Sequence, residues 1–198
     1  MRLLNRHIKN IFILIVLFLV SNSCDDKLDK DLPYYFVGDS IIARWPLDET
    51  IPSLLVYNYG KSGAGISYLE DISNQFLGKD VVVMVGTNNN TYFYTEEIDD
   101  YVDRYLRAVS SLTDKKIYLF SVLPREFIND SKDINEKITL FNSKIKESLT
   151  NYPQIVYIDV FDEFMNDGHI NYQYYHDGLH PNNYGYEVLS SYFLKEIE

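Results

Sequence analysis

Four short segments of this chain hold residue types that could do chemistry together. Gly38-Asp39-Ser40 follows an apolar run, and a serine at a strand-to-helix turn can expose its hydroxyl near the positive end of a helix. Asn58-Tyr59-Gly60-Lys61-Ser62-Gly63-Ala64-Gly65 carries glycines that let backbone approach a ligand closely and offer it N–H groups. Gly86-Thr87-Asn88-Asn89-Asn90 adds a side-chain amide donor. Near the C-terminus, Asp177-Gly178-Leu179-His180-Pro181 brings a carboxylate close enough to an imidazole to orient it. Each segment alone is commonplace, since Gly-Asp-Ser and Asn-rich stretches are usually only turns and a histidine before a helix commonly caps it. Their value depends on whether the fold gathers them.

The elements between them say that it does. Tyr34–Val37, Leu54–Tyr59, Val81–Val85, Ile117–Val122 and Ile155–Val160 are continuous apolar runs, the pattern of parallel strands buried on both faces. Ile98, Tyr101, Val102, Tyr105, Leu106, Val109 and Leu112 follow helical spacing, with Glu96, Glu97, Asp99 and Asp100 at the helix start. Ile134, Ile138, Phe141, Ile145 and Leu149 repeat the pattern, and a last helix is expected from Pro181 to about Lys195. Alternating strands and helices predict an α/β fold, a three-layer α/β/α sandwich around a five-stranded parallel, doubly wound sheet of flavodoxin-like type. Ligands of such sheets bind at the carboxyl ends of the strands, beside the topological switch point. The four segments fall there.

Other motifs fail on single residues. Gly60-Lys61-Ser62 resembles the end of a phosphate-binding loop, but Leu55 stands where that loop needs glycine. A nucleophile elbow around Ser62 is spoiled by Ala64, and a dinucleotide fingerprint by Tyr68. A flavin-binding protein of the same topology would have no need of the Asp177/His180 pair.

In their order, Gly38-Asp39-Ser40, Asn58-x-Gly60-x-x-Gly63, Gly86-x-Asn88 and Asp177-x-x-His180-Pro181 resemble the four blocks of the SGNH (GDSL-type) esterase/lipase family. The likeness spans nearly all of residues 33–198, including Leu123-Pro124, and departs from the family at Asn89, commonly Asp, and at Ile41, commonly Leu. It implies Ser40 as nucleophile, His180 as general base and Asp177 as the group that orients the imidazole. It also implies an oxyanion hole of the Ser40 N–H, the Gly63 N–H and the Asn88 amide, with no metal and no cofactor. Asp39 is read as holding the turn.

Composition narrows the setting. The chain has 198 residues, one domain's length, with 46% hydrophobic residues, too many for a disordered protein. A single cysteine excludes an internal disulfide framework. Arg2, Arg6 and Lys9 precede the apolar run Ile11 to Val20, itself too short to span a membrane comfortably, so residues 1–23 are expected to be a signal peptide. Leu19-Val20-Ser21-Asn22-Ser23-Cys24 resembles a bacterial lipobox, which implies lipidation of Cys24 and a membrane anchor. Removing the three basic residues of the signal takes the formal charge from −11 to −14, and residues 24–32 read as an acidic tether. So acidic a protein is not expected to bind nucleic acid.

The expected substrate is therefore a small ester or an acetylated glycan at the bacterial cell envelope, on the periplasmic or exterior side of an anchored, outer-membrane lipoprotein. An O-acetylesterase of carbohydrates fits a chain without a long apolar lid segment. A lysophospholipase or short-chain acylesterase, and a glycan-binding lipoprotein without catalysis, are the alternatives. Tyr34, Tyr35, Tyr92, Tyr94, Tyr172, Tyr174 and Tyr175 flank the expected crevice, where aromatic faces with polar tips suit sugars and equally suit ordinary packing.

Overall fold

The computed structural model describes residues 32–89 and 97–198. The expected signal segment, Cys24, all but Leu32 of the tether, and Asn90, Tyr92, Tyr94 and Glu96 lie outside the described residues. Five parallel strands, β1 (Tyr34–Gly38), β2 (Val56–Gly60), β3 (Asp80–Met84), β4 (Ile117–Phe120) and β5 (Ile155–Ile158), form one sheet in the order β2-β1-β3-β4-β5. The order reverses between β1 and β3. There the connections leave on opposite faces and a crevice opens at the carboxyl edge.

The strands are apolar throughout because both faces are covered. Val81 and Val83 face one core, with α3 (Ile66–Asp71), α4 (Ile98–Ser110) and α5 (Ile134–Ser148). Val82 and Met84 face the other, with α1 (Ser40–Ala43), α2 (Leu47–Thr50) and α6 (Asn183–Ile197). This is the expected three-layer sandwich. Among the described residues, no helix is long and apolar enough to cross a membrane.

Three local readings are corrected. Leu54 and Leu55 precede β2 instead of opening it, because the Leu54 N–H is taken by Ile51 O in the preceding turn. The last helix starts at Asn183, not Pro181: Pro181 pairs with Tyr175 in an isolated antiparallel bridge, and Asn182 caps the helix by accepting the Gly185 N–H. Between β5 and the Asp177 loop lies an unexpected hairpin, β6 (Met165–Asn166) and β7 (His169–Ile170). Its turn is Asp167-Gly168, both at positive φ, and an Asp-Gly pair is the sequence signal for such a turn.

Candidate active site

Ser40 is the first residue of α1, directly beyond the carboxyl end of β1. Two neighbours lock this short helix against the sheet. A Cβ on Gly60 would lie 2.2 Å from Ala43 N, so only glycine at the end of β2 lets α1 pack there. Asn58 Nδ2 donates to Ile42 O at 2.8 Å, while its Oδ1 accepts the Gly60 N–H at 2.8 Å. Asp39 caps the helix, its Oδ1 accepting the Ile41 N–H at 2.9 Å. The carboxyl is only 1% exposed, and Oδ2 has no hydrogen-bond partner among the described residues. Burial pushes it up to about 7, against the pull of the Ile41 N–H and the Arg125 charge.

The structure brings Ser40, His180 and Asp177 into one chain of contacts. Ser40 Oγ lies 3.0 Å from His180 Nε2, and His180 Nδ1 lies 2.8 Å from Asp177 Oδ2. Asp177 Oδ1 accepts the N–H groups of Leu179 and His180, at 3.0 and 2.8 Å. Partial burial would raise this carboxyl, but the bonds from the His180 backbone, the imidazole and Leu179 outweigh it and hold it at about 2. An ionised Asp177 takes the Nδ1 proton as its partner. The Nε2 lone pair then faces the serine hydroxyl.

Backbone contacts hold the loop in place. His176 donates its N–H to His180 O at 2.8 Å, closing the loop beneath the Tyr175–Pro181 bridge. Gly178 has φ +81° and lies so near the Glu126 carbonyl that a Cβ would approach its oxygen to 2.3 Å. Glu126 N–H donates in turn to Gly178 O at 2.9 Å.

Asn88 follows β3 and is exposed at the same edge. Its Nδ2 donates to Ala64 O at 2.8 Å, which orients the amide and leaves its second hydrogen for a ligand. The same bond ties Asn88 to the turn holding Gly63, which sits at φ +76°. Asn89, the departure from the family pattern, accepts the Ile66 N–H on Oδ1 at 3.1 Å. An amide oxygen therefore serves as acceptor at the start of α3 where a carboxylate is usual. Such a set can move a proton from hydroxyl to imidazole while amide donors meet negative charge forming on a carbonyl oxygen. Among the described residues, no cluster of three or more His, Cys, Asp or Glu could hold a metal ion.

Sequence reading missed Arg125. Its guanidinium is buried and forms a two-point ion pair with Asp130, at 2.9 and 2.7 Å. It also donates to Thr87 O at 2.9 Å, immediately before Asn88. The flanking residues reach the other half of the site: Pro124 O accepts the Tyr175 hydroxyl and Glu126 bonds Gly178. Residues 124–130 thus join the Asn88 turn to the His180 loop. A Pro-Arg pair after a strand at the carboxyl edge was the available signal.

The tyrosines divide. Tyr34 and Tyr35 open β1, at the sheet edge opposite Ser40, so their expected place beside the crevice is corrected. Tyr34 packs on Tyr118 and Phe193, and Tyr35 stacks on Tyr57. Tyr175 is buried, Tyr174 half-buried, and Tyr172 stands 63% exposed beside the Asp177 loop.

Comparison with known proteins agrees with this architecture. A comparison with curated protein sequences finds no match. A candidate platelet activating factor from Streptococcus pneumonia superimposes with a TM-score of 0.65 at 26% identity, over 84% of this chain and 85% of that one. A GDSL-like lipase from Bacteroides thetaiotaomicron gives 0.65 at 22% identity, over 85% and 88%. An acetyl xylan esterase from Geobacillus stearothermophilus gives 0.57 at 17% identity, over 84% and 94%. The sequence model of the GDSL-like lipase/acylhydrolase family matches residues 36–188, and with that span the chain belongs to this family of ester hydrolases.

Proposed function

We propose that this acylhydrolase is a serine esterase working through an acyl-enzyme, and that its substrates are O-acetylated carbohydrates. The observation that carries the reading is the unbroken line from Asp177 Oδ2 through His180 to Ser40 Oγ, with steps of 2.8 and 3.0 Å. His180 Nε2 takes the Ser40 proton as Oγ attacks the ester carbonyl, and Asp177 stabilises the imidazolium. The Ser40 N–H, the Gly63 N–H and the second amide hydrogen of Asn88 receive the oxyanion. The imidazolium returns its proton to the departing alcohol. Water, deprotonated by the same imidazole, then releases the acid and restores Ser40 Oγ–H.

An acetyl preference is supported by the open, polar surroundings of Ser40, where Asn88 and Asp177 are exposed. A fatty acyl chain needs a long apolar channel. The likeness to an acetyl xylan esterase is one of fold, and that fold carries such an activity elsewhere. The basic start, apolar run and lone Cys24 support an envelope lipoprotein, which suits an enzyme acting on polymers outside the cytoplasm.

A fluorophosphonate serine probe tests the class: it should label wild type on Ser40 and leave Ser40→Ala unlabelled. A series of acyl esters tests the substrate, with kcat/KM expected to fall steadily beyond acetyl; a rise toward long chains overturns the acetyl preference. Mass spectrometry of the native N-terminus decides location, since an unmodified Cys24 on a processed chain refutes the anchor.

A further inference from the structure

Beyond the Asp177–His180 loop, on its Glu126 side, lies a cleft of about 680 Å³, a volume within the range of small-molecule sites. It opens among the segments that follow β4 and β5, at the same sheet edge as Ser40. The hydroxyl–imidazole–carboxylate chemistry uses none of the side chains that line it.

Glu126 organises this cleft. Its carboxylate accepts the Tyr172 hydroxyl, His169 Nδ1 at 3.0 Å and the Ile170 N–H at 3.3 Å. Burial would raise the Glu126 carboxyl, but these bonds together carry it below the ordinary carboxylate range, so it stays ionised and keeps its partners. The rings it holds are otherwise on the surface: Tyr172 is 63% exposed and the His169 side chain 71%. An exposed tyrosine normally loses rotamer freedom only when a ligand arrives. Here the hydroxyl is already tethered and a ring face is left toward solvent, so ordering costs little on binding. Phe161 and Met165 add apolar surface; Asn135, whose Oδ1 accepts the Arg125 N–H, adds its Nδ2 donor, and Thr139, whose hydroxyl donates to Asn135 O, adds an acceptor.

We propose that this cleft is a distal glycan subsite, which takes a neutral sugar unit of the chain whose acetylated unit lies at Ser40. The inference rests on the carbohydrate reading above. Tyr172 offers the apolar ring face that a pyranose C–H face covers, and Glu126, His169 and Asn135 offer hydrogen bonds to its hydroxyls. An acidic sugar is disfavoured, because Glu126 and Glu136 line the cleft against Lys132, while Asp130 is already paired with Arg125. The substrate chain itself would connect the cleft to Ser40. On the protein side, Gly178 packed on Glu126 joins the cleft to the His180 loop.

The test compares the full-length enzyme and its variants on an O-acetylated neutral oligosaccharide and on 4-nitrophenyl acetate, which has no sugar to place. Tyr172→Ala and Glu126→Gln should lower the ratio of kcat/KM, oligosaccharide over aryl ester, by about tenfold or more, mainly through KM. Tyr172→Phe keeps the ring and loses the tether, and should fall between wild type and Tyr172→Ala. In a Ser40→Ala background, calorimetry should show the deacetylated oligosaccharide binding, and the added Tyr172→Ala should abolish it. If wild type cleaves the acetylated oligosaccharide while both variants keep the ratio within about twofold, the subsite is refuted and the carbohydrate reading survives. If wild type cleaves the aryl ester but no acetylated sugar, both fall together.

Discussion

Asp39 precedes Ser40 and Asp177 contacts His180 on the side away from it, yet burial drives one carboxyl up to about 7 while hydrogen bonds hold the other at about 2. The contrast extends to the segments that carry them. Ser40 is 6% exposed on a helix packed against β2 through Gly60, so core packing fixes its place. His180 arrives on a late loop tied down by a bridge, by Asn182 and by residues 124–130. The proposed nucleophile is held mainly by packing and the proposed base mainly by hydrogen bonds. Damage to the packing of α1 on Gly60 should appear as lost stability, and damage to the hydrogen bonds of the His180 loop as lost activity.

The largest effects remove the proposed reacting groups. Ser40→Ala and His180→Ala should each lower kcat by on the order of 10⁶-fold, because the two act as a unit. Circular dichroism and the thermal midpoint should stay near wild type, since neither change opens a sizeable cavity. Near-full activity in either variant would remove the proposed roles. Asp177→Asn should cost less, about 10⁴-fold in kcat. The amide can still touch Nδ1 but favours the tautomer that turns a hydrogen toward Ser40. Wild-type rates in this variant would mean that another group orients His180.

Asn88→Ala comes next, with kcat down by about 10²–10³-fold and KM little changed, because its free amide hydrogen matters once the oxyanion forms. A change confined to KM would place Asn88 in ground-state binding instead. Arg125→Lys touches no reacting atom. Lysine keeps the charge but loses the fork that spans Asp130 and Thr87, so the Asn88 turn should shift and kcat fall by up to about 10²-fold. Unchanged kinetics with a lowered thermal midpoint would make Arg125 a purely structural residue.

How much of this was legible in the sequence follows from what each residue answers to. The strands could be read because a sheet covered on both faces requires continuous apolar runs, and Val81 to Val85 is one. That Ser40, Asn88 and His180 would share an edge was legible because each lies at a strand end or before a helix, and parallel strands put those ends together. Arg125 was legible only in part: the Pro124-Arg125 pair after β4 marks the carboxyl edge, but no local pattern announces its partner Thr87, 38 positions away. Pro181 looked like a helix start by local preference, and a tertiary bridge to Tyr175 overruled it. Tyr34 and Tyr172 reach opposite sheet edges, one buried and the other exposed. Residue type cannot say that, although the start of β1 could have.

Asp39→Asn should have the smallest effect on activity and gives the sharpest test of the two-aspartate contrast. The amide keeps an oxygen to accept the Ile41 N–H, so the turn and the rate should persist within about tenfold. Stability should behave differently. The folded carboxyl titrates at about 7 and the ordinary one at 3.8, so between these values the folded state holds a proton that the unfolded chain has released. Stability from this group therefore falls as pH rises across that window and levels off above it, by on the order of 4 kcal/mol in all. The substituted amide does not ionise, so the stability of Asp39→Asn relative to wild type should climb from about pH 4 to about pH 8, read from urea midpoints at matched ionic strength. Asp177→Asn should show the opposite sign: Asp177 stabilises the fold above about 4, and that contribution is lost as pH falls toward 2. A flat difference for Asp39→Asn would mean that Arg125 keeps Asp39 ionised throughout, and the two aspartates would then be alike.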